Sequence, residues 1–124
     1  MLLSYREFPT GMAYFLCAYQ DRQIVFDRAF GWECKGIEHI SYWKDIPPSV
    51  VPIYSFFNTY ASAQPADAHS VVRVMKTVAK EHDFVSFKLD IDAPSVEIPI
   101  AQQMLSDPHL ASLVDEFFFE LHFR

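Results

Sequence analysis

Apolar positions recur along the chain with two periods, one typical of α-helices and one typical of β-strands. Near the start, four apolar residues share one face of a helix: Met12, Phe15, Leu16 and Tyr19. Their i, i+3, i+4, i+7 spacing, with Thr10 as a suitable N-cap, predicts a helix over 10–22. A similar apolar face predicts a second helix over 70–79.

Runs of β-branched and aromatic residues predict strands around these helices. The predicted strands cover residues 25–32, 53–60, 84–90 and 116–123. Leu2 and Leu3 would be the last residues of an earlier strand. The segment 33–52 carries three prolines and is not expected to form a long helix, because proline inside a helix removes a backbone donor.

A third helix is expected over 96–105, between the last two predicted strands. Pro99 would lie in its first turn, where proline is tolerated. The pair Asp107-Pro108 would end this helix, and a short helical turn to Leu113 would follow before the last strand begins.

The alternation of strands and helices predicts an α/β fold in one domain over 1–124. Phe117, Phe118 and Phe119 make both faces of the last predicted strand apolar, as expected for a parallel strand buried between helices. We therefore expect a Rossmann-like, doubly wound, mainly parallel five-stranded sheet with helices on both faces. Ligands of such sheets bind outside the carboxyl ends of the strands.

Composition narrows the function classes. Apolar residues make up 51% of the 124 residues, which is enough for a packed core. The net charge of −6 and the scattered Lys and Arg residues argue against a nucleic-acid binder. Cys17 and Cys34 form neither a disulfide framework nor a zinc motif. Neither a membrane-spanning stretch nor a signal peptide is recognisable, so the cytoplasm is the default expectation.

Acidic residues end two of the predicted strands. Glu33 ends the second strand, where a carboxylate can accept hydrogen bonds from a ribose diol. Lys88, Asp90 and Asp92 would share one side of the fourth strand if that strand stays extended. Two interpretations of these three residues have equal weight. Asp90 and Asp92 are a functional pair of carboxylates, or the loop is merely polar and Lys88 pairs with one of them.

Glu120 and His122 would share one face of the fifth predicted strand. If the fourth and fifth strands are neighbours, their ends bring together four groups: Asp90, Asp92, Glu120 and His122. Such a cluster suits general-base chemistry, and it also suits a hard metal ion bound by carboxylates. A buried polar network without chemistry is the third interpretation.

Three segments carry motifs in a recognisable order. Residues 26–33 read FDRAFGWE, residues 88–92 read KLDID, and residues 115–122 read DEFFFELH. These segments are similar to the patterns FD-x-[IV]-x-[AG]-[FW]-E, K-x-D-[IV]-[DE] and DE-aromatic-x-E-x-H, with Ala29 at the [IV] position and one additional residue before Glu120. Glu97 follows the second motif, where an acidic residue opens the next helix. Together, from about residue 10 to residue 123, these motifs resemble the FkbM-type methyltransferase family.

The resemblance implies a class I methyltransferase fold that binds S-adenosylmethionine (SAM) and methylates a hydroxyl of a small molecule or sugar. On the cofactor side, Glu33 would hold the ribose and Asp90 would lie near the methyl group. Trp32 and Gly11 would complete that side. The acceptor side would be lined by four residues: Asp92, Glu97, Glu120 and His122.

A hydroxyl acceptor needs a base to take its proton. His122 is the first candidate base, because the unperturbed pKa of histidine is near neutral. Asp90 is the second candidate, and Glu120 completes the predicted catalytic group. No protein-bound metal is expected in this reading.

The chain departs from the family pattern at two places, so we expect a partial copy of the fold. Tyr5 and Arg6 stand where the family has a glycine-rich turn after the first strand. The family fold also continues beyond the fifth strand, so the open edge of that strand predicts a homodimer, a missing tail or poor solubility. Two alternatives follow: a non-catalytic relative that acts as an interaction module, and a small metal-binding α/β protein.

Overall fold

The computed structural model describes residues 11–32, 43–44 and 46–120. The chain is a mixed α/β protein with short parallel strands in two small sheets. Its helices are α1 (Gly11–Gln20), α2 (Val71–Val78), α3 (Pro94–Ser106) and α4 (Pro108–Leu113). Its strands are β1 (Ala29–Trp32), β2 (Tyr54–Phe57), β3 (Ser86–Leu89) and β4 (Glu116–Phe119). The chain forms two compact units, which divide between Thr59 and Tyr60.

Helix α1 of the first unit ends in a Schellman motif. Gln23 has a φ of 63°, the left-handed conformation that reverses the chain after a helix. The N–H of Gln23 donates to the carbonyl of Gln20, and the N–H of Ile24 donates to the carbonyl of Tyr19. These two bonds satisfy helix carbonyls that would otherwise lack a donor, so the chain turns towards β1 at this point.

Strands β1 and β2 pair in parallel, with Ala29 opposite Tyr54 and Trp32 opposite Phe57. The buried core of this unit contains Ala29, Ile46 and Tyr54, and partly buried apolar residues pack against it: Met12, Leu16, Trp43, Val50 and Phe56. Gly31 is required by this packing. A Cβ at Gly31 would lie 3.0 Å from Cζ of Tyr54 and still closer to its hydroxyl oxygen.

The second unit begins with α2, whose start is fixed by Ser70. The Ser70 hydroxyl accepts a hydrogen bond from the Arg73 N–H at 3.2 Å, which is the usual N-cap interaction. Asp107 caps α4 in the same way, accepting from the N–H groups of His109 and Leu110. Lys76 forms an ion pair with Asp107, which links α2 to the start of α4.

Strands β3 and β4 form a parallel pair that is connected through α3 and α4, which makes a β-α-β unit. Asp115 ties the two strands together at their start: its carboxylate accepts from the Val85 N–H at 2.8 Å, and its own N–H donates to the Val85 carbonyl. Helix α4 packs against both α2 and α3. The buried apolar residues of this unit are Ala61, Val71, Val72, Met75, Phe87, Leu89, Ile100, Ala101, Met104, Leu110 and Leu113.

The predicted helices are confirmed, with shifts of a few residues at their ends. Helix α3 starts two residues earlier than predicted, at Pro94. Pro94 therefore occupies the first turn, and Pro99 lies inside the helix, which corrects the placement of Pro99. None of the helices in the described parts of the chain is long and apolar enough to cross a membrane.

The strands are shorter than predicted, with four residues each. The described residues contain two parallel pairs, while the predicted first strand at Leu2 and Leu3 lies outside them. The expectation that β4 is buried on both faces is wrong, because Phe118 is 43% exposed and Phe119 is 38% exposed. Consecutive aromatic residues therefore do not mark a strand covered on both sides in this chain.

Candidate functional site

The carboxyl end of β3 carries a lysine and an aspartate on one side of the strand. Phe87 and Leu89 are buried, whereas Lys88 and Asp90 between and after them are exposed, as the alternation of a strand requires. The Lys88 ammonium and the Asp90 carboxylate form an ion pair. The predicted shared side of these two residues is confirmed. At this exposure such a pair contributes roughly 0–1 kcal/mol, so its main effect is to orient Asp90.

The chain turns sharply at Asp92. Its φ of 55° lies in the left-handed region, which non-glycine residues adopt at a cost of about 1–2 kcal/mol and which aspartate tolerates better than most. Asp92 would share the side of Lys88 and Asp90 only if the strand stayed extended as far as Asp92. Because β3 ends at Leu89 and Asp92 has a positive φ, that condition is not met. Asp92 itself is exposed.

Glu97 of α3 is fully buried, at 0% exposure. Its Oε1 atom accepts a hydrogen bond of 2.8 Å from the backbone N–H of Ile91, which lies between Asp90 and Asp92. Its Oε2 atom is also buried and has no hydrogen-bond partner among the described residues. Burying a carboxyl oxygen without a hydrogen-bond donor is unfavourable, so Oε2 of Glu97 lowers the stability of the fold.

The carboxyl end of β4 lies beside that of β3. Lys88 is opposite Phe118, and Leu89 is opposite Phe119, so Asp90 and Glu120 each come directly after a paired strand end. The Glu120 side chain is exposed. The structure therefore brings two of the predicted site carboxylates to one edge of the second unit, while His122 lies outside the described residues.

The predicted cofactor residues of the first unit are only partly described. Trp32 ends β1 and stacks on Phe57, with ring centroids 4.6 Å apart and planes 17° apart. Its Nε1–H is buried without an acceptor among the described residues. Gly11 is the first residue of α1, and Glu33 lies outside the described residues.

No group of three or more His, Cys, Asp or Glu side chains in the described ranges could hold a metal ion. Asp90, Asp92 and Glu120 therefore do not form a three-carboxylate metal site. The metal-binding alternative also invoked His122, which is not among these ranges.

Two groups outside this strand end have shifted pKa values. Burial raises the pKa of the Cys17 thiol, and the nearby Asp21 carboxylate raises it further. Cys17 is half-buried, so a structural thiol fits it better than a nucleophile, which needs a lowered pKa. The hydrogen bond from Lys76 lowers the pKa of the Asp107 carboxyl, and the bond from the Leu110 N–H lowers it too.

Sequence reasoning included Glu97 in the site but missed its bond to the Ile91 backbone. One signal could have indicated it. Pro94 is a strong marker of the first helical position, so starting α3 there puts Glu97 close to the loop before the helix. The left-handed conformation of Asp92 has no comparable signal, since aspartate is common in many turn conformations.

Comparisons of the chain with protein-family models, with curated proteins and with solved structures gave no match. The resemblance to FkbM-type methyltransferases stays a prediction that rests on the three sequence motifs. The position of Asp90 at the end of β3 offers a residue at which that prediction can be tested.

Proposed function

We propose that the chain is a SAM-dependent methyltransferase of the FkbM type, which methylates a hydroxyl oxygen of a small molecule or sugar. The observation that carries the proposal is the position of Asp90. This carboxylate directly follows a parallel strand, is oriented by Lys88 and lies beside the end of a neighbouring parallel strand. Ligands of Rossmann-like sheets bind at such strand ends.

The fold proposed for the whole chain is the Rossmann-like, five-stranded sheet of class I methyltransferases. The β3–α3–α4–β4 unit supports it, because parallel neighbours joined through helices are the building block of such sheets. The parallel pairing of β1 and β2 is a second feature of the same kind.

The strand end fits the proposed cofactor chemically. The Asp90 side chain is 34% exposed, so its carboxylate can accept hydrogen bonds from an ammonium or hydroxyl group of a ligand. When bound, SAM would supply an electrophilic methyl group, with its sulfur–methyl bond breaking and S-adenosylhomocysteine as the leaving group. The chain's own residues would hold the acceptor hydroxyl close to that group and take its proton as the new oxygen–carbon bond forms.

Within the described residues, the candidates for the proton acceptor are Asp90 and Glu120. Both follow strand ends and both are exposed in this structure. His122 is proposed as the first candidate base on the motif alone. Asp92 and Glu97 are assigned to the acceptor side in this proposal, with Glu97 acting from within the protein because it is fully buried.

A second candidate function is a non-catalytic interaction module. The observation that favours it is the exposure of Phe118 and Phe119 on β4, since a short strand with exposed aromatic residues can pair with another chain. This candidate predicts self-association or partner binding without affinity for SAM. Light scattering after gel filtration, over a range of concentrations, measures whether the chain dimerises.

Calorimetric titration with SAM and S-adenosylhomocysteine tests the first candidate. We expect micromolar binding to the chain and at least tenfold weaker binding to Asp90→Asn, which keeps the size of the side chain and removes its charge. Glu81→Gln is the matched control, because Glu81 is an exposed carboxylate in the turn before β3. Absence of binding to the folded chain would reject the methyltransferase and favour the interaction module.

A further inference from the structure

The loop between β3 and α3 is held by a side chain that reaches it from inside the protein. Oε1 of the fully buried Glu97 accepts the 2.8 Å hydrogen bond from the Ile91 N–H. The residues on either side of Ile91 are Asp90 and Asp92, the two carboxylates assigned to the proposed site. The bond therefore anchors the backbone between these two carboxylates.

Two unfavourable features accompany this bond. Asp92 has the left-handed φ of 55°, and Oε2 of Glu97 is buried with no partner in the described parts of the chain. Strained backbone and unsatisfied buried polar atoms concentrate at functional sites, where other interactions hold them in place. A loop that only connected a strand to a helix could avoid both features by having a glycine at position 92 and an apolar residue at position 97.

We propose that Glu97 is a positioning residue: it holds the 90–92 loop in a strained conformation, so that Asp90 and Asp92 keep fixed places at the carboxyl end of β3. Glu97 does not touch the ligand in this proposal and acts only through the Ile91 backbone. The use of the loop for ligand binding rests on the proposed function, whereas the restraint of the loop does not.

Hydrogen exchange of single backbone amides, followed by NMR on the full chain, tests the restraint without any ligand. The Ile91 amide should exchange at least about tenfold more slowly than its sequence-dependent intrinsic rate. Glu97→Gln keeps a carbonyl oxygen as acceptor and should keep most of this protection. Glu97→Ala removes the acceptor and should speed up exchange on the order of tenfold or more.

An Ile91 amide that exchanges at its intrinsic rate in the unmodified chain would overturn the proposal, whether or not Glu97→Ala folds. Equal protection in the unmodified chain and in a folded Glu97→Ala chain would overturn it as well. Should Glu97→Ala not fold, Glu97→Met, which removes the acceptor and keeps most of the side-chain volume, takes its place. Ile91 protection equal to that of the unmodified chain in Glu97→Met would then be the overturning result.

Titration with S-adenosylhomocysteine separates a positioning role from a purely structural one. We expect Glu97→Ala to weaken binding at least about tenfold while α2 and α4 keep their amide protection, and Glu97→Gln to stay within about threefold of the unmodified chain. Equal affinity in Glu97→Ala would overturn the positioning role. A protected Ile91 amide in a chain that does not bind the ligand would reject the proposed function and leave the loop restraint standing.

Discussion

The buried carboxylate of Glu97 and the backbone N–H of Ile91 are joined by a 2.8 Å hydrogen bond that links the start of α3 to the end of β3. The bond is made to the loop directly after β3, in which Asp90 and Asp92 lie on either side of Ile91. In the sequence motif K-x-D-x-D, the residue between the two aspartates is therefore bonded to a residue of the following helix. The energetic cost lies in the positive φ of Asp92 and in the buried Oε2 atom of Glu97, which has no hydrogen-bond partner among the described residues.

The left-handed conformation of Asp92 predicts a clear ranking of substitutions. Asp92→Val should destabilise the protein by roughly 1–2 kcal/mol, because a β-branched side chain clashes with the backbone at positive φ. Asp92→Asn should change the free energy of unfolding by less than about 0.5 kcal/mol, since asparagine tolerates this conformation. Urea unfolding followed by far-UV circular dichroism measures both. Equal losses for the two variants would show that backbone conformation is not what matters at this position.

The contact between Gly31 and Tyr54 predicts a cost for any side chain at position 31. Gly31→Ala should destabilise the first unit by roughly 1–3 kcal/mol, because the added Cβ overlaps the Tyr54 hydroxyl and ring in a packed core. Both tryptophans, Trp32 and Trp43, belong to this unit, so urea unfolding followed by tryptophan fluorescence reports on it directly.

Tyr54→Phe removes the atom nearest to the added Cβ and provides the matched second variant. The double variant Gly31→Ala, Tyr54→Phe should recover about 1 kcal/mol relative to the sum of the single changes, since residues in contact do not act independently. Strict additivity would mean that Gly31 is required for a reason other than its contact with Tyr54.

The lowered pKa of Asp107 predicts a pH-dependent contribution to stability. Because the folded-state pKa lies below the ordinary value of 3.8, the contribution is present above that value and is lost as the pH falls through the folded-state pKa. Asp107→Asn keeps the capping ability of the side chain and removes its charge. The variant should therefore melt at a lower temperature than the unmodified chain near neutral pH.

The difference in melting temperature should shrink as the pH falls from about 5 to about 2, because the unmodified Asp107 then becomes neutral as well. Glu81→Gln, at an exposed carboxylate in a turn, serves as the control for general effects of charge removal. A difference between Asp107→Asn and the unmodified chain that does not vary with pH would contradict the assignment to Asp107.

The helices could be predicted because their signals are local. Ser70 before an apolar face marks the start of α2, and Asp107-Pro108 marks both the end of α3 and the start of α4. These signals depend on residues within one or two turns, which the sequence shows directly. The predicted bounds differ from the observed ones by no more than about two residues.

The positions of the strands could be predicted from the sequence, but their lengths and the packing against their faces could not. Pairing of β3 with β4 depends on residues that are far apart in sequence, and nothing local indicates that pairing stops at Phe119. The exposure of Phe118 likewise depends on what packs on that face of the sheet, which apolar character alone does not reveal.

Some features of the candidate site could also be predicted from the sequence, and others could not. Asp90 was found from the alternation of a strand, which is a local rule, and its pair with Lys88 was one of the two readings left open. The proposed role of Glu97 depends on the bond to Ile91 and on the backbone of Asp92, and that bond is set by the tertiary position of α3. Pro94 marks the helix start and so indicates that Glu97 is near the loop, but the bond itself and the conformation of Asp92 follow from the structure.

The measurement that tests the proposed function most directly is a titration of the isotopically labelled chain with S-adenosylhomocysteine, followed by amide NMR. We predict saturable shifts at the amides of Lys88 to Asp92 and of Phe119 and Glu120. Unchanged amides at all of these positions in a folded chain, at millimolar ligand, would contradict the methyltransferase proposal.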